Sequence, residues 1–172
     1  QIGSAVALEV LSTGVVWTFA PALSVPRNDR WGRTYEGFAE DPELVGQLGS
    51  AFVKGLQGEG DEFLDENHIL ATSKHFAGDG GTFDGIDQGD VRLSKEEFYS
   101  LHVSPYTPAI DACTQTIMSS FNSFQGKKLH GDKSLLTDLL KDEMGFNGFI
   151  IGDWNGHGQV KGCSNESCPE AF

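Results

Sequence analysis

Gly148-Phe149-Ile150-Ile151-Gly152-Asp153-Trp154 decides the fold: an apolar run stops at a glycine and delivers a carboxylate. A short apolar run of this kind reads as a buried parallel-sheet strand, because both faces of such a strand are covered. In barrels and open α/β sheets the functional groups gather where these strands end. An Asp after a strand has a second reading, as the N-cap of the next helix.

Three further segments repeat the pattern. Residues 15–19 end at Ala20-Pro21, residues 69–73 run into Lys74-His75-Phe76, and residues 116–120 run into Phe121-Asn122. Helical patterns lie between them. Asp41 stands where it caps a helix that opens with Pro42, carries Leu44, Val45, Leu48, Phe52, Val53 and Leu56, and stops at Gly58. Ser94-Lys95-Glu96-Glu97 has capping-box spacing ahead of Phe98 and Leu101, and Pro105 and Pro108 must interrupt or bend the helix beyond them. Residues 132–144 set Leu135, Leu136, Leu139 and Leu140 inward, and Gly145 ends that helix. Strand alternating with helix predicts a parallel α/β arrangement. Four strands cannot close a barrel, and a (β/α)8 unit takes about 250 residues. The expected fold class is therefore α/β, part of a (β/α)8 TIM-type barrel truncated at both ends. The opening Gln1-Ile2-Gly3-Ser4, without Met, and the tail 169–172 agree with an expectation that both ends are cut from a longer protein.

Composition narrows the partners. Lys and Arg number 12 and Asp and Glu 25 in 172 residues, a formal net charge of −13. That balance argues against nucleic acid and an anionic membrane as natural partners, since phosphate binding calls for clustered cations. No apolar stretch approaches the roughly 20 residues that span a bilayer. Of three cysteines, Cys163 and Cys168 flank a polar loop and are spaced for a small disulfide in an oxidising compartment, while Cys113, beside an apolar run, is expected to be a buried thiol. No second Cys pair supports zinc.

Three polar clusters carry candidate chemistry. The first runs from Asn28 through Asp29, Arg30, Trp31, Gly32 and Arg33 to Glu36, with Glu40-Asp41-Pro42 behind it. It offers guanidinium donors held by carboxylates and aimed at ligand hydroxyls, or else a surface ion-pair network. The second is Lys74-His75-Phe76-Ala77-Gly78-Asp79-Gly80-Gly81. A Lys and a His at the end of an apolar strand are costly if buried alone, yet both donate to sugar hydroxyls if they line a polar pocket. Asp79 either accepts from a hydroxyl or orients Lys74, and the alternative for His75 is a satisfied core histidine. The third is Asp153-Trp154 with Met118 on the neighbouring strand. Trp and Met are often plain core, but a Trp directly beyond the carboxylate also makes a stacking face for a pyranose, and a carboxylate there suits a cationic sugar centre. Asp79, Asp84, Asp87 and Asp90 share a Gly-rich loop whose spacing misses the EF-hand pattern and that no Glu closes, which leaves cation binding there as a minor alternative. Neither a Walker-type lysine motif, a Rossmann glycine fingerprint nor an HExxH pair occurs. No cofactor and no metal is expected.

Taken in order, Trp17-Thr18-Phe19-Ala20-Pro21, Asp29-Arg30-Trp31-Gly32-Arg33, Glu40-Asp41-Pro42, Lys74-His75-Phe76 with Gly78-Asp79-Gly80-Gly81-Thr82, and Gly148-Phe149 through Asp153-Trp154 resemble glycoside hydrolase family 3 over nearly the whole chain. The branch it resembles is the bacterial exo-β-glucanase/β-glucosidase one, related to plant exo-1,3/1,4-β-glucan hydrolases. The resemblance implies a fragment, residues 1–172, of the N-terminal barrel domain of a retaining exo-acting β-glucosidase or β-glucan glucohydrolase. It puts Asp153 on the catalytic nucleophile, Arg33, Lys74 and His75 with Asp79 around the non-reducing glucosyl unit, Trp154 on an aromatic wall and Met118 on a pocket position. Phe121 stands where plant members carry Tyr. An upstream Asp that grips sugar hydroxyls would precede Gln1, and the acid/base Glu belongs to a C-terminal α/β domain of the same parent chain beyond residue 172. The loop from Asp79 to Asp87 lacks the Asp-His pair of members that cleave N-acetylglucosaminides. The implied partner is a β-glucoside or β-glucan oligosaccharide, and the implied location periplasmic or secreted.

Two other readings stay in view. One is a non-catalytic sugar-binding piece, which would bind glucose saturably without a covalent adduct. The other is a barrel lyase using Lys74 as a Schiff base. The isolated chain is expected to hydrolyse little, and its open barrel edges to make it poorly stable alone.

Overall fold

The computed structural model describes residues 1–160. Cys163 and Cys168, with the disulfide expected between them, lie outside the described residues. The elements that position the candidate site are a parallel three-stranded sheet and the helices behind it. The sheet has the order β1 (Thr72–Phe76), β3 (Thr116–Ser119), β6 (Phe149–Ile151). Thr72 pairs with Thr116 and Thr116 with Phe149, while Met118 pairs with Ile151. All three strands run the same way, so their C-terminal ends open onto one rim. The alternation of strand and helix thus gives the expected parallel α/β arrangement.

Helix α1 (Ile2–Ser12), which periodicity did not reveal, lies against α2 (Pro42–Gln57). Gly3 and Gly55 let the two backbones touch: a Cβ on Gly55 would meet the Gly3 Cα at 2.9 Å. Helix α2 starts as its sequence demands. Asp41 stays extended, its Oδ1 accepts from Leu44 N–H at 2.8 Å, and Pro42 fills the first helical position, where a missing N–H costs nothing. Val45, Val53 and Leu56 are buried by α2, whereas Leu44 and Leu48 stay exposed. The Ser94 capping box opens α3 (Lys95–Phe98), with Ser94 and Glu97 bonded reciprocally. A π-turn (Tyr99–Val103) and then Pro105 separate α3 from α4 (Tyr106–Asp111), the break that the prolines require. The last helix, Ser134–Glu143, is π-wound and buries Leu135, Leu139 and Leu140. It starts two residues later than the pattern implies, because the Asp132 carboxylate accepts from Ser134 N–H and Oγ–H and from Lys127 Nζ.

Several expectations need correction. Residues 15–19 do not form a regular strand. They run parallel to the β1 segment through two isolated bridges, Trp17 with Leu70 and Ala22 with Lys74. Five residues separate the first-segment partners and four the second, so one residue bulges out of the ladder, beside a proline that has no N–H to give. β1 itself begins at Thr72 rather than Ile69, since Leu70 is engaged with Trp17 instead of β3. Nor are the first and fourth segments fully buried: Val16 is 63% and Phe149 50% exposed. Phe149 meets the Trp17 ring on the open concave face, whereas Val16, next to Trp17 in an extended segment, faces the opposite side. Cys113 is exposed, not buried, because it sits at φ 61° in the turn between α4 and β3. A second small sheet, unforeseen, stands beside the rim: β2 (Asp90–Val91) pairs parallel with β4 (Ser123–Phe124), which pairs antiparallel with β5 (Lys127–Lys128). Gln125 and Gly126, both at positive φ, make the tight turn between β4 and β5.

The concave face is layered. Trp17 Nε1 donates to Thr72 Oγ1 at 2.8 Å, the hydroxyls of Thr72 and Thr116 lie 2.5 Å apart, and the Trp17 ring meets Phe149 edge-on at 5.6 Å. One layer higher stand Lys74, Met118 and Ile151, two residues on along each strand and so on the same face. Behind the sheet the core joins Phe76 to Tyr106 edge-on at 4.9 Å and stacks Phe98 on Phe124 at 4.1 Å. We expect Asp41→Ala to lower the denaturant midpoint with an unchanged slope, at a cost of about 1 kcal/mol, and Asp41→Ser to recover most of it. An unchanged midpoint in the alanine variant would rule out the cap as a stabilising contact.

Candidate active site

The site forms at the rim, above the layer of Lys74 and Met118. Lys74 and His75 are adjacent in sequence, and the pairing of β1 with β3 shifts between Ser73 and Phe76. A bulge of this kind re-aims side chains, and both residues contribute to one cluster. His75 Nδ1 lies 2.8 Å from Asp79 Oδ2, and Arg33 Nη2 lies 3.1 Å from His75 Nε2. A guanidinium only donates, so Nε2 accepts and the proton sits on Nδ1, pointing at Asp79. The bonding pattern fixes the tautomer.

Asp79 is the most buried carboxylate of the cluster. Ser24 Oγ–H donates to its Oδ2 at 2.6 Å and the Gly80 N–H to its Oδ1 at 3.0 Å. Burial pushes its pKa up, but the hydrogen bonds from His75, the Ser24 hydroxyl and the Gly80 amide outweigh that and hold it below the ordinary value. Of the two roles that the sequence left open for Asp79, the geometry favours orientation, and of His75 rather than Lys74. Gly80 packs against the Val25 carbonyl, a close approach that leaves little room for a side chain.

Arg33 enters from the loop before the short 3-10 turn Thr34–Glu36. Its Nε and Nη2 donate to Glu36 at 2.7 and 2.8 Å, a bidentate pair that leaves Nη2 also reaching His75. The Glu36 hydrogen bond raises the Arg33 pKa despite burial, with Asp79 and Asp153 adding to it, and the same bond lowers that of Glu36. Lys74 is half-buried. Burial, then the neighbouring Arg33, lower its pKa, against the opposing charges of Glu36, Asp153 and Asp79.

Asp153 completes the group. Its Oδ2 lies 3.9 Å from His75 Nε2, too far for a hydrogen bond, and its Oδ1 accepts from the Trp154 N–H at 2.7 Å. The Asp153 carbonyl accepts from Gly156 N–H at 2.9 Å, and its own N–H donates to His130 Nε2 at 2.9 Å. The carboxylate thus begins a tight turn leading into Gly156–Gln159 rather than capping a long helix. Met118 is buried on β3 beside Ile151, and Trp154 is 88% exposed at the rim.

The structure therefore brings Arg33, Lys74, His75, Asp79 and Asp153 into one electrostatic neighbourhood, with Met118 beneath. Trp154 touches it through its backbone, while its indole stands in solvent. Trp31 of the first cluster is buried, its Nε1 3.4 Å from Asp87 Oδ1, and serves the loop from behind. Sequence reasoning missed Ser24 and His130. Ser24 carries no local signal, since its partner lies 55 positions away. His130, in Leu129-His130-Gly131-Asp132 ahead of the leucine-rich helix, reads as ordinary loop. No group of three or more His, Cys, Asp or Glu side chains arranged for a metal occurs among the described residues.

Known proteins share both the sequence and the fold. Residues 1–172 match the family described as Glycosyl hydrolase family 3 N terminal domain. A β-xylosidase of Formosa agariphila is 38% identical over 163 residues, covering 94% of this chain and 22% of that protein. A periplasmic β-glucosidase of Salmonella typhimurium is 34% identical over 160 residues, covering 93% and 20%. Among solved structures, an exo-1,3/1,4-β-glucanase of a Pseudoalteromonas species superposes with a TM-score of 0.96 at 48% identity, over 99% of this chain and 21% of that one. The fold is the TIM-like (β/α) type, and the chain spans about a fifth of the length of the curated relatives it matches.

Asp79 supplies a test of this network. Asp79→Ala leaves His75 Nδ1–H and the Ser24 hydroxyl without an acceptor, and we expect a loss of roughly 1–3 kcal/mol at neutral pH. Because the folded-state pKa of Asp79 is depressed, its contribution is complete above the unfolded value of 3.8 and fades as pH falls towards the lower folded value. Denaturant titrations of wild type and variant across that acidic range should converge. A gap independent of pH would count against the assignment.

Proposed function

We propose, for a chain that belongs to glycosyl hydrolase family 3, that it supplies the glucosyl-binding wall and the nucleophile of a retaining, exo-acting β-glucosidase or β-glucan glucohydrolase. One observation carries this reading: the Asp153 carboxylate stands 3.9 Å from His75 at the C-terminal rim of parallel strands, within the field of Arg33 and Lys74. Oδ1 is engaged by the Trp154 amide, and Oδ2 is the oxygen that lies nearest His75.

In the first half-reaction Asp153 Oδ2 forms a bond to the anomeric carbon as the bond to the leaving oxygen breaks. A Glu from a further domain of the same parent protein protonates that oxygen. The same Glu then takes a proton from water, which attacks the anomeric carbon and releases Asp153. Retention needs the two carboxyl groups about 5–5.5 Å apart. Arg33 and Lys74 donate to the sugar hydroxyls, and their charge favours the ionised nucleophile. Glu36 keeps Arg33 from swinging away, and Asp79 keeps His75 in the tautomer that faces Arg33. Trp154, exposed at the rim, offers an aromatic face to the next unit of a glucoside chain. Met118 and Ile151 floor the pocket. The naming of a Salmonella relative as periplasmic supports a periplasmic or secreted location.

The test is made in the complete reading frame that carries this sequence. Asp153→Ala should lower turnover of an aryl β-glucoside on the order of 10⁴-fold or more. A 2-deoxy-2-fluoro-glucoside should leave its sugar on Asp153, read by peptide mass spectrometry. Label on another residue, or near-normal turnover by the variant, defeats the assignment. Parallel assays with the β-xyloside decide which sugar the pocket prefers. The 172-residue chain by itself should give no measurable hydrolysis of either.

A further inference from the structure

Two hydrogen bonds and one close approach link the ends of the three parallel strands. The Ser120 N–H, just past β3, donates to the Phe76 carbonyl at the end of β1 at 2.8 Å. The His130 ring stands beside the Ser120 backbone, which favours its protonated form. Past β6, the Asp153 N–H donates to His130 Nε2 at 2.9 Å. Since Nε2 accepts from the Asp153 amide, the ring proton sits on Nδ1 and His130 is the neutral Nδ1–H tautomer. The ring is buried, rests 5.8 Å from the Phe121 ring, and lies so close over Gly156 that no side chain fits there.

We propose that His130 is a positioning residue: by accepting the Asp153 amide it fixes the main chain from which the nucleophilic carboxylate projects. This rests on the reading of Asp153 given above. The Asp153 carboxylate is held by the amide of the very next residue, so its aim depends on where the 152–156 turn sits. That turn is held from below by His130 and closed by Gly156 N–H to the Asp153 carbonyl. A displacement of about 1 Å in a reacting group costs on the order of 10²-fold in rate.

The device is also sensitive to acid. Protonation puts a hydrogen on Nε2, which then faces the Asp153 N–H, and the bond is lost. Burial lowers the His130 pKa from 6.5, Asp153 and the Ser120 carbonyl oppose that, and His157 and Lys128 reinforce it. A base with a lowered folded-state pKa keeps its bond above 6.5 and loses it as pH falls through the folded value.

Two substitutions in the complete reading frame test the proposal. His130→Phe keeps the ring against Phe121 and Gly156 but removes the acceptor, whereas His130→Gln restores an acceptor oxygen that does not titrate in this range. Single-turnover labelling by the fluoro-glucoside should slow about 10- to 100-fold in His130→Phe and recover most of its rate in His130→Gln. The acid limb of the labelling rate should move to lower pH in the glutamine variant. Amide exchange of a peptide spanning 149–156 should quicken in the phenylalanine variant and return in the glutamine one. Equal rates in all three proteins, equal loss in both variants, or an unmoved acid limb would each overturn the proposal. Absence of label on Asp153 in the wild type would instead sink the nucleophile assignment, and amide exchange alone would then decide whether His130 clamps the turn.

Discussion

The buried carboxylate of Asp79 is the constraint on which the rest of the site depends. A charge taken out of water is tolerated only when hydrogen bonds replace its hydration, and three donors meet here from separate pieces of chain: Ser24, His75 and the Gly80 amide. Satisfying Asp79 thereby locks the loop after the first parallel segment, the end of β1 and the following 3-10 turn against each other. It also sets the proton on His75 Nδ1, which leaves Nε2 to accept from Arg33. Arg33 in turn is spread between His75 and Glu36. One anion, buried where it must be paired, thus organises a neutral imidazole, a guanidinium and a second anion around it.

The sheet supplies what that network cannot, a common origin for the pieces. Parallel strands in register bring equivalent positions to the same height, so a polar layer of Trp17, Thr72 and Thr116 lies beneath one holding Lys74, Met118 and Ile151. The lower layer satisfies its own hydroxyls and indole N–H, which lets polar side chains line a concave face without stranded donors. The upper layer then meets the rim where Asp153 begins its turn. Irregularity is concentrated at this rim, with the bulge between Trp17 and Ala22 and the shifted pairing within β1 both close to the cluster.

Electrostatically the site stands apart from its protein. The whole chain carries a formal charge of −13, yet at the rim Arg33 and Lys74 face the same three carboxylates, and Lys74 also feels Arg33. Burial, together with crowding of the two cations, lowers the Lys74 pKa, while the bidentate grip of Glu36 raises that of Arg33. The two positive groups are thereby made unequal: a guanidinium fixed in direction, and an ammonium that is half-buried and less strongly neutralised.

Local chemistry was legible from the residues alone. The Asp41 cap with Pro42, the Ser94 box, the break at Pro105 and the alternation of strand with helix each come from interactions spanning a few positions, which the chain makes whatever surrounds it. The strand-end location of Lys74, His75 and Asp153 was equally readable, because an apolar run that stops at polar residues marks the end of a buried ladder. Tertiary structure alone decided the partners. That Asp79 serves His75 and not Lys74, that Ser24 reaches it across 55 positions, and that His130 accepts the Asp153 amide are pairings with no periodicity to announce them. The exposure of Cys113 and Phe149 belongs to the same class: hydrophobicity says what a residue prefers to bury, and only the packed neighbours determine whether anything is there to bury it.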